Sequence, residues 1–164
     1  MTHLRLRGFK NGDVDVIQQL WDDAETALLI SNRVSLASQA TIIAHFSDST
    51  SPTRRIIIAD QSNNAVGYAS YQNLCSVSRI YRIGLSLLPS MRGRGHGTIS
   101  LELLESFLSR QWMAHKLLAE ILNTNEASKR IFSKSGYRCI GTMASHFLAG
   151  GTYYDTLLFE KIVQ

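Results

Sequence analysis

The spacing of apolar side chains changes character along the chain, and each change marks an element. At residues 4–7, Leu4 and Leu6 alternate with Arg5 and Arg7, the period-two signature of a short strand with one buried face running toward Phe9. Asn11-Gly12-Asp13 reads as a turn, with Asp13 in position to cap the next helix. Val14, Ile17, Leu20, Trp21 and Ala24 make one stripe of that helix, which Leu28-Leu29-Ile30 either extends or breaks. Ser35 reads as the cap of a second helix carrying Leu36, Ala40, Ile43 and Phe46 or their neighbours. Residues 47–53, with Pro52, are loop by composition. That stretch is too short to divide domains, so residues 1–164 are expected to form one domain.

From Arg54 the pattern is that of strands. Ile56-Ile57-Ile58-Ala59 is mostly β-branched and expected to be buried on both faces. A turn at residues 61–64, a strand at 65–74 and another at 76–88 predict an antiparallel meander. A helical stripe of Ile99, Leu103, Leu104, Phe107 and Leu108 comes next. Residues 117–122 then read as a strand parallel to the one before that helix, a connection that is nearly always a right-handed crossover. Residues 125–134 read as a helix with Asn125 at its N-cap and Gly136 as its stop. Strands at 137–148 and 153–162 close the chain across Gly150-Gly151. The class is α/β with a mixed sheet.

Between the third strand of the meander and the long helix lies Leu88-Pro89-Ser90-Met91-Arg92-Gly93-Arg94-Gly95-His96-Gly97-Thr98. Strand, glycine turn, helix is the arrangement in which backbone N–H groups at a helix N-terminus face an anion. Glycines there let a ligand approach the backbone, and Arg92 and Arg94 add positive charge in a form suited to phosphate. The dinucleotide fingerprint G-x-G-x-x-G fails at Thr98, and no Gly-Lys-Ser/Thr of a P-loop is present. A nucleotide-phosphate binder is therefore disfavoured.

Composition narrows the class further. A 45% hydrophobic and 18% charged chain is that of a soluble globular protein. The net charge of +4 is spread over pairs such as Arg54-Arg55 and Lys129-Arg130 and makes no stripe, which argues against nucleic acid. Cys75 and Cys139 form no C-x-x-C pair, and His3, His45, His96, His115 and His146 show no ligand spacing, so no metal is expected. No apolar run approaches the ~20 residues of a membrane helix, and residues 1–7 lack a signal-peptide core, so a cytoplasmic protein without membrane contact is expected.

Arg92-Gly93-Arg94-Gly95-His96-Gly97 fits R-x-x-G-x-G and resembles the acyl-CoA loop of the GNAT superfamily of N-acetyltransferases. Residues 125–137, from Asn125 to Tyr137, are similar to that family's N-x-x-A-x-x-x-Y-x-x-x-G-F, with Ser128 for Ala, Phe132 for Tyr and Tyr137 for Phe. The order of elements is similar to the GNAT fold from end to end. The resemblance implies a mixed, mostly antiparallel sheet of about seven strands flanked by about four helices. Gly151-Thr152-Tyr153-Tyr154-Asp155 resembles the tail of the branch that acetylates ribosomal-protein N-termini.

The resemblance also implies acetyl-CoA as cosubstrate and a primary amine as acceptor: a peptide N-terminus, a polyamine, an amino sugar or another small amine. The backbone of Arg92, Gly93, Arg94, Gly95, His96, Gly97 and Thr98 would hold the pyrophosphate. Backbone groups near Leu85 and Leu87 would pair with the pantetheine arm as an added strand does. Asn125 matches a cofactor-contacting position, and capping its helix is an equally natural role. Family members are often dimers, so a homodimer is left open.

The chemistry has one candidate and one gap. Alternation puts Glu120 on one face with Leu118 and Leu122, a lone carboxylate among apolar residues whose partial burial would suit a general base. It also resembles the base position of some family members; the alternatives are a surface Glu, or one that only orients the amine or holds a water. The family's usual acid, a tyrosine, falls at Phe132, which has no proton to give. Ser133, Tyr137, Cys139, Tyr81, Tyr153 and Tyr154 are substitutes that the sequence does not rank. The gap keeps open a second function, an acyl-CoA-binding regulatory module with little turnover.

Overall fold

The computed structural model describes residues 3–26 and 37–163. Its strands are β1 (Arg5–Arg7), β2 (Thr53–Ala59), β3 (Ala65–Cys75), β4 (Ile80–Leu87), β5 (Lys116–Leu122), β6 (Arg138–Ala149) and β7 (Thr152–Ile162). The α-helices lying wholly within the described residues are α1 (Val14–Asp22), α2 (Gln39–Ser47), α3 (His96–Trp112) and α4 (Glu126–Lys134). The strands form one sheet in the order β1-β2-β3-β4-β5-β7-β6. Among the described residues only β4 and β5 run parallel; every other neighbouring pair is antiparallel. The expected mixed, mostly antiparallel α/β sheet is what forms.

Alternation along the strands sends successive side chains to opposite faces. Ile58, Ile83, Leu117, Ala119 and Ile121 pack with Leu101, Leu104 and Leu108 of α3 and Phe132 of α4. Ile57, Ala59 and Tyr68 pack on the other face with Val14, Ile17 and Leu20 of α1 and Ile42 of α2. Ile17, Leu20 and Ile42 are fully buried, each stabilising the fold by about 1.5–3 kcal/mol. The Ile57-Ile58 pair is thus buried on both faces, as its β-branched run predicts.

Three local expectations are corrected. Asp13 does not cap α1 with its side chain. Arg7 takes both of its carboxylate oxygens at 2.7 Å, and the Lys10 N–H donates to it as well. Burial alone would raise the Asp13 carboxyl; the Arg7 fork and the Lys10 N–H outweigh it and hold the group below its usual range. The second helix begins at Gln39, where the Ser38 hydroxyl accepts the Thr41 N–H at 3.2 Å. The expected cap Ser35 and the segment Leu28-Leu29-Ile30 lie outside the described residues. Third, Thr53 belongs to β2 and not to the loop, because it pairs with Gln72 of β3.

β3 and β4 approach each other closely at Gly67. A Cβ there would lie 2.2 Å from the Ser86 carbonyl oxygen, so no other residue fits without moving the strand.

Candidate functional site

The parallel ladder of β4 and β5 ends almost as soon as it begins. It runs from Ile80 opposite Lys116 to Arg82 opposite Leu118 and goes no further. Beyond it, β4 stays bonded to β3, and the Leu88 N–H reaches the Val66 carbonyl at 3.0 Å. Antiparallel pairs alternate between bonded and non-bonded residues. Counting back from that bond, Ser86 and Gly84 bond to β3, while Leu87, Leu85 and Ile83 turn their N–H and C=O groups toward the split. The split opens into a cleft of about 670 Å³ between β4, β5, α3 and α4.

The glycine loop closes the top of this cleft. Gly93 and Gly95 adopt φ of +72° and +80°, which other residues resist. Gly95 is the N-cap of α3 and carries no capping side chain. The first helical bond runs from the Ile99 N–H to the Gly95 carbonyl, so the N–H groups of His96, Gly97 and Thr98 have no helical partner. Gly93, Gly95, Gly97 and Thr98 line the cleft.

The side chains of Arg92, which also lines the cleft, and of His96 have partners within the chain. Arg92 uses its guanidinium inside the chain: Nε donates to the Leu87 carbonyl at 3.1 Å and Nη2 to Thr26 Oγ1 at 2.5 Å. Thr26 is buried and donates in turn to Asp23 through both its N–H and its hydroxyl. The Thr26 hydroxyl bond, then the Thr26 N–H bond, keeps the Asp23 carboxyl below its usual range. Arg92 therefore anchors the loop to the end of β4 and to Thr26. Arg94 is exposed and outside the cleft lining. His96 is buried, with Nδ1 3.0 Å from the Met91 carbonyl, which fixes the turn before α3. Gly97 also serves packing, since a Cβ there would lie 2.6 Å from Ile131 Cδ1 of α4.

On the opposite wall, Asn125 caps α4 by accepting the Ser128 N–H at 3.0 Å, and it also lines the cleft. Both roles left open by the sequence are compatible with that position. Arg130 and Lys134 bring cations to the same wall. Phe132 lines the cleft but is only 5% exposed, stacked edge-on with Tyr137 at 4.9 Å between ring centres. Burial, reinforced by Glu105, pushes the Tyr137 phenol far above its usual range. None of Ser133, Tyr137, Cys139, Tyr81, Tyr153 or Tyr154 lines the cleft. The structure thus brings no hydroxyl from that set to the place of the missing acid.

Glu120 lies at the far end of the split, and its surroundings correct the reading of a lone carboxylate among apolar residues. Register is the reason. Arg82 pairs with Leu118, two residues before Glu120 on the same face, so its side chain reaches the carboxylate. Arg82 Nη1 donates to Glu120 Oε1 at 2.8 Å, and Arg82 Nη2 donates to Gln72 Oε1 at 2.5 Å. His146 Nε2 stands 4.0 Å from the other oxygen, Oε2. Glu120 also borders a second, smaller pocket of about 220 Å³, together with Arg82, Gln72, Phe147 and Thr156. Glu120, Ser70, Ile83 and Leu122 line both cavities. Thr156 is buried, and its hydroxyl has no partner among the described residues.

Arg82, Gln72, His146 and Thr156 carry no motif and escape sequence reading. Only the pairing of β3, β4, β5, β7 and β6 brings them together. Among the described residues there is no cluster of three His, Cys, Asp or Glu able to hold a metal. No described helix is long and apolar enough to cross a membrane.

Residues 3–138 match the family model described as an acetyltransferase (GNAT) domain. The chain is 26% identical over 110 residues to a phosphinothricin N-acetyltransferase of Streptomyces coelicolor, a match spanning 65% of this chain and 64% of that protein. Its fold superposes on a spermidine N-acetyltransferase from Vibrio cholerae, solved with CoA and spermine, with a TM-score of 0.88. That fit is at 16% identity and covers 97% of this chain and 95% of the other. A dodecameric structure of spermidine N-acetyltransferase from the same organism fits with a TM-score of 0.77 at 17% identity, over 97% and 93% of the two chains. These superpositions establish a shared fold. With the family model covering most of its length, the split sheet and uncapped glycine turn are those of a protein that belongs to the GNAT acetyltransferase family.

Proposed function

We propose that this chain is an acetyl-CoA-dependent N-acetyltransferase acting on a small primary amine. The observation that carries the reading is the position of Glu120, on the wall shared by the β4–β5 cleft and the smaller pocket. Donor and acceptor approach from the two sides, and the carboxylate lies where they meet.

The cleft fits the donor. The unpartnered N–H groups at the start of α3 suit a pyrophosphate, with Arg130 and Lys134 adding charge at the same wall. The outward N–H and C=O of Leu85 and the outward N–H of Leu87, whose carbonyl is already held by Arg92, suit an extended, amide-bearing arm. Acetyl-CoA supplies the activated acyl group as a thioester. The family match and the CoA-bound spermidine enzyme of the same fold support this choice of donor.

On the acceptor side, a pocket of about 220 Å³ is below the usual range for drug-sized ligands, which supports a small acceptor. Glu120 attracts the ammonium form and takes its proton, directly or through one water. Arg82 and Gln72 fix the carboxylate in place. The polyamine and phosphinothricin enzymes among the similar proteins make polyamines and amino acids the first acceptors to try. Strand β6 lies at the sheet edge with most residues exposed, a surface compatible with a homodimer.

A second reading, a CoA-binding module with little turnover, rests on Phe132 and its missing hydroxyl. Free-thiol release from acetyl-CoA over a panel of amines separates the two. Turnover that disappears in Glu120→Gln is the expected result. Thermal stabilisation by CoA with no thiol release on any amine would replace the first reading by the second.

A further inference from the structure

β6 breaks its pairing with β7 at one place beside Glu120. Met143 faces Thr156 and Phe147 faces Tyr154, so Ala144, Ser145 and His146 together face Asp155 alone. Ser145 takes a φ of +48°, a left-handed conformation that serine adopts reluctantly. The Asp155 carboxylate holds it there by accepting the Ser145 N–H at 2.8 Å. Bulges of this kind re-aim a side chain, and strained residues gather at functional sites. Here the re-aimed side chain is His146, whose Nε2 ends 4.0 Å from Glu120 Oε2. Arg82 occupies the other oxygen, Oε1, so the two oxygens of Glu120 are divided between a fixed cation and a titratable base.

We propose that His146 is the proton relay of this site. The inference rests on the acetyl transfer proposed above. The proton that Glu120 takes from the acceptor ammonium passes from Oε2 to Nε2, and from the imidazole to solvent. Its side chain is 49% exposed, which gives that proton its exit. Imidazole is the side chain whose ordinary range lies between about pH 5 and 8, where it both accepts and releases protons. Rotation of the ring or one bridging water closes the 4.0 Å gap. The protons balance: of three on the ammonium, one leaves by His146, one ends on the CoA sulfur and one stays on the amide nitrogen. The C–N bond forms as the C–S bond breaks. Among the described residues the charged group facing His146 is Glu120 from β5; Arg82 from β4 sits on the other oxygen of that carboxylate, and Asp155 from β7 holds the N–H of the neighbouring Ser145.

Two measurements test the relay. In the first, His146→Gln is expected to lower kcat about 100-fold with KM for acetyl-CoA unchanged, and His146→Ala to regain activity with added imidazole. Full activity in His146→Gln, or a loss that imidazole leaves untouched and that shifts no limb of the pH profile, overturns it. The second needs no turnover: the imidazole nitrogen resonance that His146→Gln removes is expected to move in Glu120→Gln at one fixed pH, because that carboxylate faces Nε2. An unmoved resonance contradicts the relay. If Glu120→Gln is inactive while His146→Gln is fully active, the relay fails and the acetyltransferase reading survives. Absence of thiol release in the wild-type protein sinks that reading instead, and the fixed-pH resonance still decides whether the two groups are in contact.

Discussion

The two ends of the β4–β5 split are built by different means. At the upper end, the groups we propose to hold the donor are backbone: the α3 N-terminus and the outward-facing groups of Leu85 and Leu87. The Arg92 and His96 side chains there hold the loop itself. At the lower end the groups are side chains from separate strands: Glu120 from β5, Arg82 from β4, Gln72 from β3 and His146 from β6. The upper end is fixed by local conformation and the lower end by sheet register. Damage should therefore separate cleanly, with upper-end changes weakening the donor and lower-end changes slowing the chemistry.

The largest expected effect tests the lower end. Glu120→Gln should cut kcat by about 10²–10⁴-fold while CoA affinity, read by calorimetry, stays within about twofold. Parallel losses in both would erase the distinction between the ends. Next comes the upper end. Gly95→Val forces a β-branched residue to a φ of +80°, and strain of about 1–3 kcal/mol should weaken CoA binding some 5- to 150-fold. At saturating acetyl-CoA its kcat should be near normal. Arg82→Gln removes the clamp on Glu120 Oε1 and should lower kcat about tenfold without changing KM for acetyl-CoA.

The smallest effect sharpens the comparison by leaving both ends intact. Glu160 on β7 bonds Lys116 of β5 and Arg138 of β6, tying together the three strands behind the site. The Lys116 bond, then the Arg138 bonds, hold its carboxyl below the usual range. A depressed folded-state value means the stabilisation is full above the ordinary carboxylate range near pH ~4.3 and is lost as pH falls through the lower value. The gap in Tm between wild type and Glu160→Gln should therefore be widest near neutral pH and shrink in acid. A gap independent of pH would remove the ion pairs from the explanation.

The same contrast explains what the sequence discloses. Gly93, Gly95 and the α3 stripe are contiguous, and their spacing carries their conformation, so the upper end is legible. So are the strand order through β5 and the Asn125 cap, since alternation and capping are local. Arg82 and Glu120 are 38 residues apart, and their pairing depends on a parallel register that no spacing encodes. His146 is less legible still. Plain alternation through a strand at 137–148 hides the bulge that aims it, and that bulge depends on Asp155 ten residues on. The charge of Arg92 alone suggests a phosphate ligand, and only the buried Thr26 beyond α1 reveals it as an anchor.

A donor that enters the split as an added strand has a residue-level consequence. Amide hydrogen exchange in the presence and absence of CoA reads it directly. The N–H groups of Leu85 and Leu87 point into the split, while that of Ser86 is already bonded to β3. CoA should slow exchange at Leu85 and Leu87 and at the first residues of α3, leaving Ser86 unchanged. Binding of CoA with no protection at Leu85 or Leu87 would contradict the added-strand mode of donor binding.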